Sequence, residues 1–254
     1  MKLYAICSPS HAVLRDQWFL PSAEKVFEEI IVETVPQDCV DGVYMHSGWK
    51  KTMERKIDLL LRAVEENWGG IFVYSDVDIQ FFNSVETLSF ESLLGEQDVV
   101  FQNSQAGGIC MGFLVCRANE AMQNFWRAAK EEIRENCGIY GYSDQSVVNF
   151  LLGIKKYRGS WRTFIRMNIP WAEKVKHFYY RCCQQQKKRS ISLRWGCLPE
   201  QFYSPGKFWH PGEQLDIPQD IVLHHANWTI GIQNKIAQLE YVRRIVSERH
   251  SNVS

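Results

Sequence analysis

Two aspartates one residue apart, Asp76 and Asp78, follow directly on the apolar run Ile71-Phe72-Val73-Tyr74. If the chain stays extended there, both carboxylates point to one side and Val77 to the other. Two carboxylates at the end of a buried strand repel each other, and the arrangement is costly unless a cation joins them. Oxygen ligands of this kind suit magnesium or manganese, and such an ion can in turn hold a diphosphate. The plainer explanation is a strand-end turn whose aspartates satisfy backbone amides. Another acidic residue, Asp144 in Ser143-Asp144-Gln145, opens a helix, where the macrodipole alone accounts for its type. His224 and His225 end a late apolar stretch, and Lys235 follows ten residues on.

The elements that must position these groups alternate between strands and helices. Leu3 to Cys7 reads as a strand and runs into the polar loop Ser8-Pro9-Ser10-His11; Glu29 to Val35 reads as a second strand. Met53, Ile57, Leu60, Leu61 and Val64 recur at helical spacing, and Gly69-Gly70 ends that helix just before the Asp76 strand. Strands follow at Asp98 to Gln102 and Ile109 to Cys116. Asn119 and Ser143 are placed to cap two helices, Ile221 to His225 is a late strand, and Ile230 to Arg249 is a closing helix. Strands separated by helices predict an α/β layered sheet with ligands at the carboxyl ends of its strands.

Composition narrows the class. Lys+Arg and Asp+Glu both number 29, so a binding strategy resting on bulk positive charge is excluded and no nucleic-acid partner is expected. A 254-residue chain with 45% hydrophobic residues fits one large domain over residues 1–254, and residues 171–197 form a basic excursion around Cys182-Cys183. The eight cysteines form no CxxC pair or zinc module and read as mostly reduced thiols. The N-terminal apolar stretch is short and interrupted by Pro9, which predicts no signal peptide. No window approaches the roughly 18 apolar residues of a membrane span, so a soluble, cytoplasmic protein is expected.

Several segments, in order, resemble the nucleotide-sugar-dependent glycosyltransferases of the GT-A fold. More narrowly, the chain is similar to the nucleotide-diphospho-sugar transferase group of plants, algae, bacteria and large DNA viruses. The helix from Lys56 to Val64 and the segment Gly69 to Phe82 resemble that group's helix, strand and metal-binding DxD. Gly107 to Arg117 resembles the strand beside the donor sugar, with Cys110-Met111-Gly112 where relatives often have Asn-x-Gly. Asp144-Gln145 followed by Asn149 resembles a DQ motif, and His224 to Lys235 a C-terminal His motif. The resemblance implies a single-domain α/β protein with a GT-A-like mixed central sheet flanked by helices. It implies metal ligation by Asp76, Asp78 and His225, with His224 the weaker choice for the histidine. Donor contacts fall to Asp76, Lys56, Ser8, Gln145 and Gly108, and catalytic roles to Asp144 and Lys235. Trp228 and Trp209-His210 are placed to shape an acceptor cleft.

The implied reaction moves a sugar from a UDP- or GDP-sugar to a hydroxyl of a glycan or glycoprotein, assisted by manganese or magnesium. Positive charge from the ion and from Lys235 would stabilise the departing diphosphate. Inversion would call on Asp144 as base; retention, the stereochemistry usual in the group, would let the departing phosphate take the proton. Two other readings stand beside this one. Haloacid-dehalogenase phosphatases also place DxD after a strand, but in the first strand of the domain and with Thr or Val where this chain has Gln80. A sugar-nucleotide-binding protein without turnover is the third.

Overall fold

The computed structural model describes residues 1–39, 48–82, 88–105, 107–136, 143–154, 171 and 191–251. Most of the basic excursion, including Lys174 to Arg189, lies outside the described residues.

Strand β1 (Lys2–Cys7) pairs in parallel with β2 (Glu29–Thr34) on one side and β3 (Ile71–Ser75) on the other. Beyond β3 lie β6 (Ile109–Arg117) and β5 (Val99–Asn103), each antiparallel to its predecessor, and then β7 (Trp195–Cys197), parallel to β5. The order β2-β1-β3-β6-β5-β7 makes a mixed six-stranded sheet. Three short strands form a second sheet in the order β4-β9-β8: β4 (Ile79–Phe81), β8 (Phe202–Tyr203) and β9 (Leu223–His225). The strand periodicity behind the expected β1, β2, β3, β5, β6 and β9 is present. Strands β4, β7 and β8 are too short to carry a readable period.

Alternation along the strands divides the core between two faces. On one, Tyr4, Phe72, Tyr74 and Leu114 meet helix α3 (Trp49–Glu66) and helix α5 (Glu120–Asn136). Helix α3 turns Met53, Lys56, Ile57, Leu60, Ala63 and Val64 inward, a stripe at helical spacing in which one member is a lysine. Each fully buried aliphatic of that stripe contributes about 1.5–3 kcal/mol. Asn119 caps α5, its Oδ1 accepting from the Met122 amide at 3.0 Å. Ser143 caps α6 (Asp144–Leu151), accepting from the Ser146 amide at 3.1 Å.

On the opposite face Leu3, Ala5, Val73, Phe113 and Val115 pack on Phe19, Phe27, Phe81 and Phe90. Phe19 belongs to a helical run from Pro9 to Ala23 that contains α1 (Ala12–Leu14), a π-turn over Arg15–Phe19 and α2 (Leu20–Ala23); Phe90 opens α4 (Phe90–Leu94). The closing helix α7 (Ile232–Ser251) buries Leu239, Val242 and Val246. No helix among the described residues is long and apolar enough to cross a membrane. Among them Cys7, Cys110, Cys116 and Cys197 are free thiols.

Candidate active site

The two parallel neighbours of β1 leave it in opposite directions along the sheet, and crevices form beyond carboxyl ends at such a reversal. Ser8 follows β1 there and Asp76 follows β3. The two aspartates do not sit on an extended strand, as simple alternation predicts. Val77 and Asp78 form a turn that carries the chain from β3 in the large sheet to β4 in the small one. Val77 anchors that turn in the apolar face around Phe81 and Phe113. The Asp76 amide donates to the Gly112 carbonyl at 2.7 Å, and the Asp78 carbonyl accepts from the Ala226 amide at 2.9 Å. The carboxylates converge because the turn is clamped at both ends.

His225 closes the group from the far end of the chain. Strand β9 pairs antiparallel with β4, with His225 opposite Ile79. Its Nε2 lies 3.3 Å from Asp78 Oδ1 and 3.9 Å from Asp76 Oδ2. One ligand atom from each of Asp76, Asp78 and His225 falls within 4.8 Å of the others. The imidazole is 3% exposed and reaches this position only because residue 112 is glycine. A Cβ there would lie 2.5 Å from Nδ1 and 2.7 Å from Nε2.

Gln102, which sequence reasoning missed, decides which ring nitrogen faces the carboxylates. The register between β5 and β6 shifts between Phe101 and Gln102, so Phe101 pairs with Leu114 but Gln102 with Cys110. The Gln102 Nε2 donates to the Phe202 and Tyr203 carbonyls, both at 3.1 Å, which fixes the amide orientation. Its Oε1 therefore faces His225 Nδ1 at 2.8 Å and accepts the proton there. The remaining nitrogen, Nε2, turns its lone pair toward two carboxylates in the neutral ring. An all-acceptor set of this kind calls for a proton or a cation at its centre. Without a metal, protonation answers the need. Burial disfavours imidazolium, but the Asp78 charge, with Cys110 assisting, outweighs it and raises His225 to about 10. Burial likewise opposes ionisation of Asp78, yet Lys235 and His225 hold it well below the usual carboxylate range.

Two lysines complete the electrostatics. Lys235, in the first turn of α7, donates to Asp78 Oδ2 at 2.5 Å and to the Ala226 carbonyl at 2.8 Å. Lys56 occupies the inward stripe of α3, 3% exposed. Its Nζ donates to Asp76 Oδ1 at 3.0 Å and to the Met111 carbonyl at 2.8 Å, a group left off the β5–β6 pairing by the register shift. Asp144 Oδ2 lies 2.9 Å from the same Nζ, close as an ion pair though off the hydrogen-bond direction. Burial opposes charge on Lys56, and Asp144 and Asp76 overcome it, so the ammonium is held well above its ordinary value. Tyr74 donates to Asp76 Oδ1 at 2.7 Å. A lysine in the apolar register of an amphipathic helix was the readable signal for this buried network.

Asp76, Asp78, His225, Lys235, Lys56 and Asp144 are thus drawn into one cluster. Ser8 reaches its edge through His11, which bonds Ser8 and Ser10 hydroxyls at 3.3 and 2.9 Å. Burial lowers His11, while the nearby charges of Asp78 and Lys235 pull it in opposite directions. Gln145 and Gly108 stand one step away. Asn149 joins their neighbourhoods, accepting from the Ile109 amide and donating to the Gln145 carbonyl at 2.7 Å. His224 points away from the cluster, fully buried and stacked on Tyr203 at 5.5 Å. Trp209 lies in the core of the C-terminal half, whereas Trp228, at φ 58°, meets the half-exposed Phe208 edge-on at 5.4 Å.

No curated protein sequence matches this chain significantly. Among the solved structures to which this chain is similar are a glycosyltransferase involved in glycosylation of the major capsid of PBCV-1 and the glycosyltransferase GlyE of Streptococcus pneumoniae TIGR4. The first is 10% identical with a TM-score of 0.49, covering 94% of this chain and 98% of that one. The second is 12% identical with a TM-score of 0.45, covering 99% of this chain and 64% of that one. The decisive comparison is with sequence families. The profile of the nucleotide-diphospho-sugar transferases matches residues 28–239, which span the DxD turn, the Asp144 helix, the His225 strand and Lys235. That match sets aside the phosphatase reading, and the mixed sheet flanked by helices is the GT-A-like architecture expected. The chain belongs to the nucleotide-diphospho-sugar transferase family and is a glycosyltransferase.

Proposed function

We propose that this chain moves a sugar from a UDP- or GDP-sugar to a hydroxyl of a glycan or glycoprotein acceptor, using a divalent ion held by Asp76, Asp78 and His225. The observation that carries the reading is the convergence of two carboxylates and the Nε2 lone pair within 4.8 Å, with Gln102 fixing the ring. Hard oxygen ligands plus one imidazole fit manganese, or magnesium, among the biological cations. Such an ion, when bound, supplies positive charge at the diphosphate of the donor.

The chain's own residues do the rest. Lys235 holds an ammonium beside Asp78, at the cluster where it would face the negative charge that grows on the departing diphosphate. Lys56 holds Asp76 and Asp144 in place from within the core. Ser8, with His11 beside it, and the Gln145 and Gly108 segments frame the donor. In the transfer the bond from anomeric carbon to diphosphate oxygen breaks and one to the acceptor oxygen forms. Asp144 is 5% exposed and already paired with Lys56, which favours handing the acceptor proton to the departing diphosphate. Retention of configuration accords with that route.

The test is incubation with UDP- and GDP-sugars plus manganese, followed by measurement of released nucleotide. Metal-dependent turnover of one donor is expected, and Asp78→Ala should abolish manganese-dependent donor binding. Unchanged affinity in that variant would sink the metal assignment. Binding with no turnover, acceptors supplied, would point to a protein that only binds sugar nucleotides.

A further inference from the structure

Beside the metal-ligating cluster lies a separate cleft of about 500 Å³, lined by Asn103, Ser104, Glu200, Phe202, Ser204 and Asp216 among others. Its size falls within the roughly 300–1,000 Å³ of small-molecule sites. Two links tie it to the reaction centre. The Phe202 carbonyl accepts from Gln102, whose other end holds His225. Ser204 exchanges hydrogen bonds with Asn227 at 2.7 and 2.9 Å, two residues beyond His225.

The chemistry of the lining selects a ligand. Ser104 is 1% exposed, yet its hydroxyl has no hydrogen-bond partner. An unpartnered buried hydroxyl costs about 1–3 kcal/mol and is explained if a ligand supplies the missing bond. Around it stand the exposed amide of Asn103 and the carboxylates of Glu200 and Asp216, with no lysine or arginine among the described lining residues. Carboxylates and amides suit hydroxyls and ammonium groups and oppose anions.

We infer that this cleft is the acceptor subsite and that it takes a neutral or amino-bearing sugar, excluding uronic acids and other anionic glycans. The inference rests on the transferase reading and deepens it. Ser104, Glu200 and Asp216 contact acceptor hydroxyls or an ammonium, and Asn227 links the occupied cleft to the strand that carries His225.

Saturation-transfer NMR on the intact protein, without donor, tests the cleft with four probes: methyl glucoside, methyl galactoside, methyl glucosaminide and methyl glucuronide. At least one neutral or amino glycoside should receive saturation, and the glucuronide should receive less. Ser104→Ala should weaken that signal about fivefold, the loss of one hydrogen bond. Asn103→Trp, at an exposed strand end, should abolish it by filling the cleft. Glu200→Gln with Asp216→Asn should raise the glucuronide signal. The inference is overturned if no probe receives saturation, if the glucuronide matches the neutral sugars, or if the signal is indifferent to Ser104→Ala. Should Asn103→Trp fail to fold, Ser104→Ala and the carboxylate pair decide the question in its place. Because no donor is present, failure here leaves nucleotide-sugar turnover standing, and failure of turnover leaves this result standing.

Discussion

Gly112→Ala is the smallest change that should disable the Asp76–Asp78–His225 cluster and the ion proposed for it. The added Cβ would sit 2.5 Å from His225 Nδ1 and 2.7 Å from Nε2, and its backbone torsion is one any residue adopts, so the effect is purely steric. Non-bonded atoms need roughly 3.5 Å, so the ring must retreat by about 1 Å or more. The strand cannot yield instead, because its carbonyl holds the Asp76 amide at 2.7 Å. Retreat breaks the 2.8 Å bond to Gln102 and lengthens the 3.3 Å contact with Asp78. Overpacking together with a lost buried hydrogen bond predicts destabilisation of about 2–4 kcal/mol. Manganese affinity, read by paramagnetic resonance of the free ion, should fall about 10- to 100-fold, as when an orienting partner is lost. The cause is isolated by adding His225→Ala: with the ring gone, alanine at 112 has room and its stability penalty should largely vanish. Unchanged manganese affinity in Gly112→Ala, or strictly additive penalties in the double variant, would refute the reasoning.

Three further outcomes follow from the buried charges. Lys56→Met leaves Asp76 and Asp144 facing each other without their cation, and denaturant titration should show a loss of about 3–5 kcal/mol; a loss typical of a surface lysine would remove Lys56 from the network. His224 is lowered to about 3 by burial, with the His225 charge adding to the effect. The unfolded chain takes up that proton near pH 6.5, so stability should fall as pH drops from about 6.5 to 3. His224→Phe keeps the stacking on Tyr203 and removes two unpartnered nitrogens, so it should be near neutral at pH 7 and flatten that acid slope; an unchanged slope in urea melts across this range would contradict the assignment. His225 works in the opposite sense: raised to about 10, it contributes stability fully below pH 6.5 that is lost as pH rises through 10. Alkaline melts of metal-free protein should show that loss, and His225→Gln should lack it.

The chemistry was more legible in the sequence than the way it is assembled. Hydrophobic period alone located β3, α3, β6 and α5, residue type and spacing named Asp76 and Asp78, and the family resemblance pointed to His225. What alternation predicted for the aspartates was right in outcome and wrong in mechanism. Their carboxylates meet through a turn between two sheets, and turn geometry depends on amides and carbonyls supplied by Gly112 and Ala226. Lys56 could be read as an inward-facing helical position, but not that its partners would be Asp76 and Asp144, twenty and eighty-eight residues away.

By itself, then, the sequence determined the order of strands and helices, the acidic pair and a late histidine, because side-chain period and residue type are local properties. Only the tertiary structure decided that His225, not its neighbour, faces the carboxylates. In β9 successive side chains leave on opposite faces, and pairing with β4 chose the face. Only the structure gave Gln102 a role, since its register shift and two distant carbonyls orient the amide that orients the ring. Gly112 carries the same lesson. A glycine inside an apolar strand says nothing until an imidazole from residue 225 occupies the space its side chain would have filled.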